Sequence, residues 1–373
     1  MYRLVQRRGI IGLFCLLFVA SSVVPGWAQK DNRFEVSKNL DIFNSLLKEV
    51  EMFYVDSVDV DKTVQRGIEA MLAGLDPYTE YYPEQKTEEL SLMTTGEYGG
   101  IGSLIRQRNN EGGVMIAEPT EGMPADLAGL KPGDLILAID TIDVSKATNS
   151  RVRDLLKGVP NTKMVLTIQR PGEKKPRKFE ITRKQITTPQ VTYYGVKNDS
   201  IGYIYLKAFT IKSAQEVKEA FLDLKKNHNI KSLVLDLRGN GGGVLEGAVQ
   251  IVGMFVPKGS EVLSTKGKIK QWDRTYRTST EPLDTVMPLA ILINGGTASA
   301  AEIVSGSLQD MDRAVLVGQR SFGKGLVQAP RDLPYNGKVK ITMSKYYIPS
   351  GRCIQQIDYS HRKEDGSVAA IPD

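Results

Sequence analysis

The chain has 373 residues, of which 41% are hydrophobic and 25% charged, and its formal net charge is +6. This length predicts two or three domains, and the composition is that of a globular protein rather than of a disordered one. No basic cluster is interleaved with aromatic residues, and no His or Cys spacing typical of a metal site occurs. The sequence therefore predicts no nucleic-acid partner, no metal and no cofactor.

Residues 1–28 have the layout of a secretory signal peptide. Three arginines precede an apolar run, residues 9–20, and Gly26-Trp27-Ala28 predicts cleavage after Ala28. The apolar run is shorter than the roughly 20 residues that span a bilayer, which disfavours a retained membrane anchor. Cleavage removes three arginines and lowers the charge from +6 to +3. It also leaves Cys353 as the single cysteine. We expect an exported protein of the cell envelope or periplasm without an internal disulfide.

Residues 29–87 are predicted to be helical. Apolar residues recur at helical spacing from Asn39 to Phe53, which predicts an amphipathic helix, and Val64–Leu75 predicts a second one. The apolar positions of the first helix are Leu40, Phe43, Leu47, Val50 and Tyr54. The following segment, residues 75–83, ends the helical pattern. It contains Asp76-Pro77, three tyrosines and a second proline, Pro83.

Residues 88–185 form the next predicted domain. A glycine-rich loop, residues 96–102, precedes a strand at Val114–Ala117, the turn Ala128-Gly-Leu-Lys-Pro-Gly-Asp134 and a strand at Leu135–Ile139. This arrangement resembles a PDZ domain. The resemblance implies that Gly100, Ile101 and Gly102 bind a peptide carboxylate through their N–H groups while the next strand pairs with the peptide. Lys157-Gly158 stands where the resemblance leads us to expect Arg-Gly.

Residues 186–373 form the last predicted domain. A strand at Gly202–Leu206, a helix at Ala214–Lys225 and a strand at Ser232–Leu237 predict βαβ units around a mostly parallel sheet. The segment Asp236-Leu-Arg-Gly-Asn-Gly-Gly-Gly243 follows, and its glycines allow the backbone to approach a substrate closely. A purely structural βα turn is the alternative interpretation. A further strand is predicted at Val339–Tyr347.

Ser299 lies where a strand is predicted to lead into a helix. Leu289–Ile293 is an apolar run of strand length, Asn294-Gly-Gly-Thr297 predicts a turn, and Ala298–Met311 has helical periodicity. A hydroxyl at this position lies beside the unpaired N–H groups of the helix start. Both a nucleophile and an oxyanion site need such an environment.

A serine nucleophile needs a base, and Lys324 is the best candidate. The two histidines, His228 and His361, lie in polar, charged segments. Lys324 lies between Gly323 and Gly325 with apolar residues nearby, and burial lowers the pKa of a lysine enough to make the neutral amine accessible.

Lys324 has three other interpretations. Gly318–Lys324 imitates a phosphate-binding P-loop, but Gly325 stands where that loop needs Ser or Thr. Ser321-Phe-Gly-Lys324 imitates the Ser-x-x-Lys signature of β-lactamases, but no Lys-Thr-Gly or Ser-Asp-Asn partner occurs. In the third, Lys324 is an ordinary surface lysine and Ser299 an ordinary helix-start serine.

Two segments, Gly296–Asp310 and Phe322–Gln328, resemble the carboxyl-terminal processing peptidases at that family's spacing. The resemblance implies that Ser299 is the nucleophile, Lys324 the general base and Gln328 the residue that orients the lysine. It also implies an oxyanion site formed by Gly242 and the N–H of Ala300. Gly243 remains an alternative because Gly241 replaces the proline usual in this family. The implied fold is an α/β, mostly parallel-sheet, crotonase/ClpP-like peptidase domain with an inserted PDZ domain.

The first functional hypothesis is a serine endopeptidase that cleaves exported proteins near apolar carboxyl-terminal tails, which the PDZ domain recognises. The alternative is a catalytically silent PDZ peptide-binding module on a peptidase-like shell. A homodimer and a peripheral membrane association are further expectations. The chain ends at Asp373, earlier than such peptidases generally do, so we expect a truncated sequence.

Overall fold

The computed structural model describes residues 32–108, 112–363 and 365–371. The predicted signal peptide, residues 1–28, lies outside the described residues. The chain divides into two compact units, Met1–Ile68 and Glu69–Asp373. Within the described residues, no helix is long and apolar enough to cross a membrane.

The first unit contains helix α1, Arg33–Phe53, and the beginning of helix α2, Val60–Ala73. Both predicted helices are present, although α1 begins at Arg33 rather than at Asn39. The apolar residues of α1 are not buried, and Leu40 and Phe43 are 63% and 48% exposed. Helical periodicity therefore predicted the element, whereas the burial of its apolar face is not observed.

The second unit begins with the end of α2 and continues into a segment that contains the PDZ-like region. Its elements are β1 (Glu80–Tyr82), a 3-10 turn (Glu84–Lys86), α3 (Thr87–Thr95), β2 (Glu97–Gly100), β3 (Ser103–Gln107), β4 (Val114–Pro119), α4 (Pro124–Leu127), β5 (Leu135–Ile139), β6 (Ile142–Asp143), α5 (Asn149–Leu156), β7 (Lys163–Gln169), β8 (Arg177–Thr182) and β9 (Lys184–Thr187).

The PDZ-like region has its own sheet and its own core. Strands β3, β4, β5, β7 and β8 lie side by side in that order, all antiparallel, and β6 pairs with β5. Ile116, Ile136 and Leu166 are fully buried on the face that Val152 of α5 covers. Strands β2 and β9 pair with each other where the chain enters and leaves the region. Because both ends pass through this short ladder, the region is tethered twice to the rest of the unit.

The remainder of the second unit carries two larger sheets. Its elements are β10 (Val191–Lys197), β11 (Ile201–Leu206), α6 (Ser213–Asn227), β12 (Ser232–Asp236), α7 (Leu245–Gly253), β13 (Glu261–Gly267), a 3-10 turn (Lys270–Trp272), β14 (Arg274–Arg277), β15 (Leu289–Ile293), α8 (Ala300–Asp310), β16 (Val315–Gly318), β17 (Leu326–Asp332), β18 (Lys338–Tyr347), β19 (Ile357–Arg362) and β20 (Val368–Ala370).

The central sheet has the strand order β10-β11-β12-β15-β16, and all its pairings are parallel except that of β10 with β11. The second sheet, β1-β18-β13-β14 with β17 on β18, is antiparallel throughout. The expected mostly parallel sheet is therefore only part of a mixed α/β domain. The short connection between β17 and β18, closed by Leu333 donating to the Gly337 carbonyl, permits only antiparallel pairing.

Helix α8 fixes the position of the residue that precedes it. Each of its residues from Ala300 to Leu308 is buried, because the helix lies in the core between other elements. Helix α6 buries Val217, Phe221 and Leu224 in the same core, where the rings of Phe221 and Phe255 are 5.5 Å apart. A helix buried on all sides cannot shift without opening close-packed contacts, so its first turn is a rigid platform.

Candidate active site

Three loops meet at one edge of the central sheet. Gly242 follows β12, Ser299 follows β15, and Lys324 follows β16, and these three strands are adjacent and parallel. The carboxyl ends of parallel strands lie at the same edge of a sheet, which is where such folds place their functional loops. The topology therefore brings together three segments that are far apart in the sequence.

Ser299 has an unusual backbone conformation. Its φ of 55° and ψ of −117° lie in a region that non-glycine residues rarely adopt, at a cost of roughly 1–3 kcal/mol. Its neighbour Ala298 donates its N–H to the carbonyl of Asn240 at 2.9 Å, and Ser299 is followed directly by the buried helix α8. Contacts on both sides thus hold a half-buried serine at a sharp corner between strand and helix.

The carboxylate of Glu302 connects the loops of Ser299 and Lys324. Its Oε2 accepts the backbone N–H of Ser299 at 2.8 Å and that of Lys324 at 2.9 Å. Its Oε1 accepts the Ser321 hydroxyl at 2.7 Å and the Gly323 N–H at 2.6 Å. The residue is 2% exposed, so these four donors take the place of water around a buried carboxylate.

Tyr346 makes a second connection between the same loops. Its hydroxyl lies 2.7 Å from the Lys324 carbonyl and 3.2 Å from the Ser299 carbonyl, so it donates to these two oxygens. The side chain is 1% exposed, and burial raises the pKa of the phenol well above its usual range. The hydroxyl therefore stays protonated and remains a donor.

Lys324 has an environment suited to a neutral amine. Burial lowers the pKa of Lys324, and repulsion by Lys340 lowers it further, while Glu80, Asp76 and Glu302 act in the opposite direction. Its Nζ lies 4.3 Å from the centroid of the Tyr78 ring. Among the hydrogen bonds of the described residues, none joins Lys324 Nζ to the Ser299 hydroxyl.

The structure also bears on the other interpretations of Lys324. A P-loop leads into a helix, but Lys324 is followed by strand β17. Ser321 donates its hydroxyl to the Glu302 carboxylate and not to Lys324, the partner that a Ser-x-x-Lys site would use. Neither the P-loop nor the Ser-x-x-Lys interpretation fits this geometry.

Gln328, the predicted orienting residue, lies on β17. Its amide nitrogen donates to the Thr342 hydroxyl at 3.1 Å, and Thr342 in turn contacts Thr79. Thr79 donates to Asp76, one of the carboxylates that acts on the Lys324 pKa. Gln328 is thus linked to the surroundings of Lys324 through hydroxyl groups, and among the described residues it makes no direct hydrogen bond to that lysine.

The predicted oxyanion residues lie against the nucleophile. A Cβ added to Gly242 would lie 2.8 Å from Ser299 Cβ and 2.9 Å from Ala300 N, and Gly242 has a φ of +93°. The N–H of Ala300 belongs to the first turn of α8, where N–H groups lack partners within the helix. The N–H of Gly242 donates to Asn240 Oδ1 at 2.9 Å, so in this conformation it is not free to bind an oxyanion.

Gly100, Ile101 and Gly102 line a groove of about 720 Å³. Strand β3 and helix α5 of the PDZ-like region form its walls, and Leu92 of α3 continues it together with Lys207, Ala208 and Thr210. Gly102 has a φ of +65°, and a Cβ there would lie 2.4 Å from Met123 Cβ, so only glycine fits. The groove combines apolar side chains, among them Leu104 and Ile105, with the glycine loop, the features that an apolar peptide tail requires.

The sequence interpretation missed Glu302, Asn240, Tyr346 and Tyr78. Glu302 had a local signal, because Ser299-Ala-Ala-Glu302 fits the capping-box pattern at a helix start. Asn240 lies within the glycine-rich segment that was singled out, but its links to the Leu206 and Ala298 backbones depend on the fold. Tyr78 and Tyr346 reach the site from distant strands and turns, for which local spacing has no signal.

The sequence profile of peptidase family S41 matches residues 200–360, and a PDZ domain profile matches residues 115–170. A carboxy-terminal-processing protease of Bartonella bacilliformis is 36% identical over 345 residues, which cover 92% of this chain and 77% of that protein. A probable CtpA-like serine protease of Staphylococcus aureus is 34% identical over 321 residues. These cover 85% of this chain but only 62% of that relative.

Among solved structures, a photosystem II D1 C-terminal processing protease is 29% identical, with coverage of 83% of this chain and 82% of that chain, and a TM-score of 0.46. The two segments around Ser299 and Lys324 lie inside the range that the peptidase profile matches. The glycine loop at residues 100–102 lies outside the range that the PDZ profile matches, on its amino-terminal side.

Proposed function

The chain belongs to peptidase family S41 and contains a PDZ domain, and on that premise we propose that it is a serine endopeptidase with Ser299 as nucleophile and Lys324 as general base. The observation that carries the proposal is the shared anchoring of these two residues by Glu302 at the carboxyl edge of the central sheet. A serine at a strained helix start and a lysine with a lowered pKa are what nucleophilic catalysis without histidine requires.

The proposed reaction begins with proton transfer. Neutral Lys324 accepts the proton of the Ser299 hydroxyl as Oγ attacks the carbonyl carbon of the scissile peptide bond. The resulting ammonium gives that proton to the leaving amine nitrogen, and the same lysine then activates the water that hydrolyses the acyl-serine ester. Cation–π attraction to Tyr78 weakens when Lys324 is neutral, so deprotonation itself frees Nζ to turn toward Ser299.

The developing oxyanion is stabilised by N–H groups at the start of α8 and in the loop that follows β12. Ala300 supplies one donor, and the loop at Gly242 and Gly243 supplies the second. In the present conformation the N–H of Gly242 donates to Asn240. The second donor is therefore either the Gly242 N–H, after the loop has rotated on substrate binding, or the N–H of Gly243. Each such donor is worth roughly a hundred- to a thousandfold in rate.

The proposed substrates are exported proteins with apolar carboxyl-terminal tails. The groove at Gly100 to Gly102 would hold the tail carboxylate, and the next strand, β3, would pair with the tail backbone. Export of this protein to the cell envelope is part of the proposal and rests on residues 1–28 of the sequence.

The test uses purified protein and a folded substrate protein that carries either an apolar or a charged tail. We expect the unmodified protein to cleave the apolar-tailed substrate. Ser299→Ala should not cleave it but should still bind the tail, because the substitution removes only the hydroxyl oxygen. Lys324→Arg should also be inactive, since arginine supplies no neutral base. Lys338→Arg, which changes a lysine on β18 that pairs with Asp332, serves as the matched control and should remain active.

Tail binding without any cleavage by the unmodified protein would instead favour a silent peptide-binding module. Cleavage retained in Ser299→Ala would place the nucleophile elsewhere. Activity retained in Lys324→Arg would mean that Lys324 acts as a fixed charge and not as a base.

A further inference from the structure

A second cavity, here called the basic cleft, has a volume of about 580 Å³. The turn after α2, strand β13, strand β18 and strand β19 form its walls. Ser299, Lys324 and Glu302 do not line it. Tyr359 in its wall lies edge-on to Tyr78 at 5.9 Å, and Lys324 Nζ lies on the Tyr78 ring. Two aromatic rings therefore separate the basic cleft from the proposed base, and an occupant would not touch the reacting groups.

The lining of the basic cleft is strongly positive. Four cationic residues contribute to it, namely Lys266, Lys268, Lys345 and Arg362. Asp76 is its one acidic lining residue. The Asp76 carboxylate is occupied by its own turn, because it accepts the N–H groups of Tyr78 and Thr79 and the Thr79 hydroxyl at 2.8–3.0 Å. Four cations thus share a lining that contains a single carboxylate, and that carboxylate is held in its own turn.

Two of these cations face each other directly. Lys266 of β13 is the cross-strand partner of Lys345 of β18, so both side chains leave the same face of the sheet. Like charges in directly opposed positions destabilise a sheet. Within the described part of the chain, neither lysine has a carboxylate within 4.0 Å, and Lys266 Nζ lies 4.7 Å from the centroid of the Tyr347 ring. The repulsion between these two lysines is therefore not relieved by an ion pair within the described residues.

Arg362 and Asp273, two further charged groups at the cleft, do not pair with these lysines. Arg362 donates to the carbonyls of Ala73 and Gly366, which fixes the guanidinium without neutralising it. Asp273 lies close to the cleft, where it accepts the Gly267 N–H at 2.7 Å, but its other oxygen lies 3.8 Å from Lys270. The fixed guanidinium and the opposed lysines form a preorganised positive site.

We propose that the basic cleft binds a small ligand with two or more anionic groups, phosphates or carboxylates. Its volume lies in the range of small-molecule sites, and its cations come from three different strands, so separate anionic groups can each meet a cation. Binding would relieve the repulsion between Lys266 and Lys345. This site goes beyond the proposed peptidase function, because it takes a different class of ligand at a different place.

Calorimetric titration with inorganic pyrophosphate, at constant ionic strength, tests the proposal without reference to peptidase activity. We expect saturable binding to the purified protein and binding weaker by about tenfold or more in Lys266→Gln/Lys345→Gln. The matched control is Lys163→Gln/Lys338→Gln, in which two strand lysines outside the cleft, each paired with a carboxylate, are changed in the same way. The control should bind pyrophosphate as the unmodified protein does.

Thermal unfolding gives a second readout. In anion-poor buffer Lys345→Gln should unfold at a higher temperature than the unmodified protein, because it removes the opposed charge. Pyrophosphate should raise the unfolding midpoint of the unmodified protein more than that of the variant. Equal stabilisation by sodium chloride of the same ionic strength would overturn the proposal, since it would indicate screening alone. Unchanged pyrophosphate affinity in Lys266→Gln/Lys345→Gln would overturn it too. Binding of the unmodified protein to phosphatidylglycerol vesicles, without binding of pyrophosphate, would also overturn it.

Discussion

Ser299 and Lys324 donate their backbone N–H groups to the same oxygen atom, Oε2 of Glu302, at 2.8 and 2.9 Å. Their carbonyl oxygens are connected in the same way, through the single hydroxyl of Tyr346. The backbones of the proposed nucleophile and base are thus held by two buried side chains from helix α8 and strand β18. These contacts tie the backbone of Ser299 to that of Lys324 on both sides.

Glu302→Gln should remove most of the proposed activity while the protein stays folded. A carboxylate accepts hydrogen bonds at both oxygens, whereas an amide accepts at one and donates at the other. At least one N–H of Ser299, Gly323 or Lys324 would lose its acceptor, which costs about 1–3 kcal/mol of stability. A displacement of about 1 Å at the reacting groups costs roughly a hundredfold in rate. Steady-state kinetics and thermal unfolding of the same preparation measure both effects.

The control for Glu302→Gln is Val304→Ala, which shortens a fully buried side chain of the same helix away from the four donors. It should lose a comparable amount of stability, about 2 kcal/mol, and keep its kcat at temperatures where it is folded. If the two variants lose activity equally, then Glu302 acts through stability alone. The proposal that it positions Ser299 and Lys324 would then be wrong.

The sequence predicted the elements around the site well because they are locally determined. The apolar runs at Leu289–Ile293 and Leu135–Ile139 are strands with those bounds, and the helix predicted at Ala298–Met311 spans Ala300–Asp310. Apolar runs and apolar residues at helical spacing mark segments that become buried, so hydrophobic spacing carries the signal. The position of Ser299 between strand and helix follows from these elements alone.

The contacts that position the site could not be predicted in the same way. Tyr78 reaches Lys324 from a turn more than two hundred positions earlier in the chain, and Tyr346 reaches it from the antiparallel sheet. These contacts depend on how two sheets meet, which local spacing does not encode. The crotonase-like arrangement, the domain boundaries and the roles of the site residues stay predictions.

Gly242→Ala should abolish the proposed activity, whereas Gly241→Ala should be tolerated. A Cβ at Gly242 would lie within 2.9 Å of Ala298 O, Ser299 Cβ and Ala300 N, and its φ of +93° disfavours any side chain. A Cβ at Gly241 meets no atom within 4 Å. Hydrolysis assays of the two neighbouring variants measure the difference. Equal activity in both would show that the Gly242 loop does not contact the reaction centre closely.

Lys340→Gln and Glu80→Gln should move the pH dependence of kcat in opposite directions. Activity rises with pH as Lys324 loses its proton. Lys340 lowers the pKa of Lys324 by repulsion, so its removal should raise that pKa and move the rising limb to higher pH. Glu80 raises the pKa of Lys324, so its removal should move the limb to lower pH. Initial rates across the pH range, with substrate above KM, measure both limbs.

The two substitutions control each other, because each breaks the same hydrogen-bonded pair between Lys340 and Glu80. A purely structural effect of losing that pair would move both limbs in the same direction. Shifts of equal sign would therefore contradict the assignment of Lys324 as the titrating base.

The last prediction concerns which tails the PDZ groove selects. Arg153 on α5 lines the groove, and in the described part of the chain it has no carboxylate within 4.0 Å, its nearest polar partner being the Ser150 hydroxyl at 3.4 Å. Arg151, two residues earlier on the same helix, is exposed but does not line the groove. The two arginines therefore differ in access to a bound tail and resemble each other in chemistry and helix position.

We expect an acidic side chain shortly before the apolar tail end to bind Arg153, and Arg153→Glu to reverse the preference from acidic to basic tails. An exposed ion pair contributes up to about 1 kcal/mol, so each change should alter affinity by roughly three- to fivefold. Arg151→Glu adds the same charge to the same helix and should leave the preference unchanged. Fluorescence anisotropy with matched acidic and basic peptides measures binding separately from cleavage. If both variants shift the preference equally, the selectivity comes from the overall field of the domain and not from a contact in the groove.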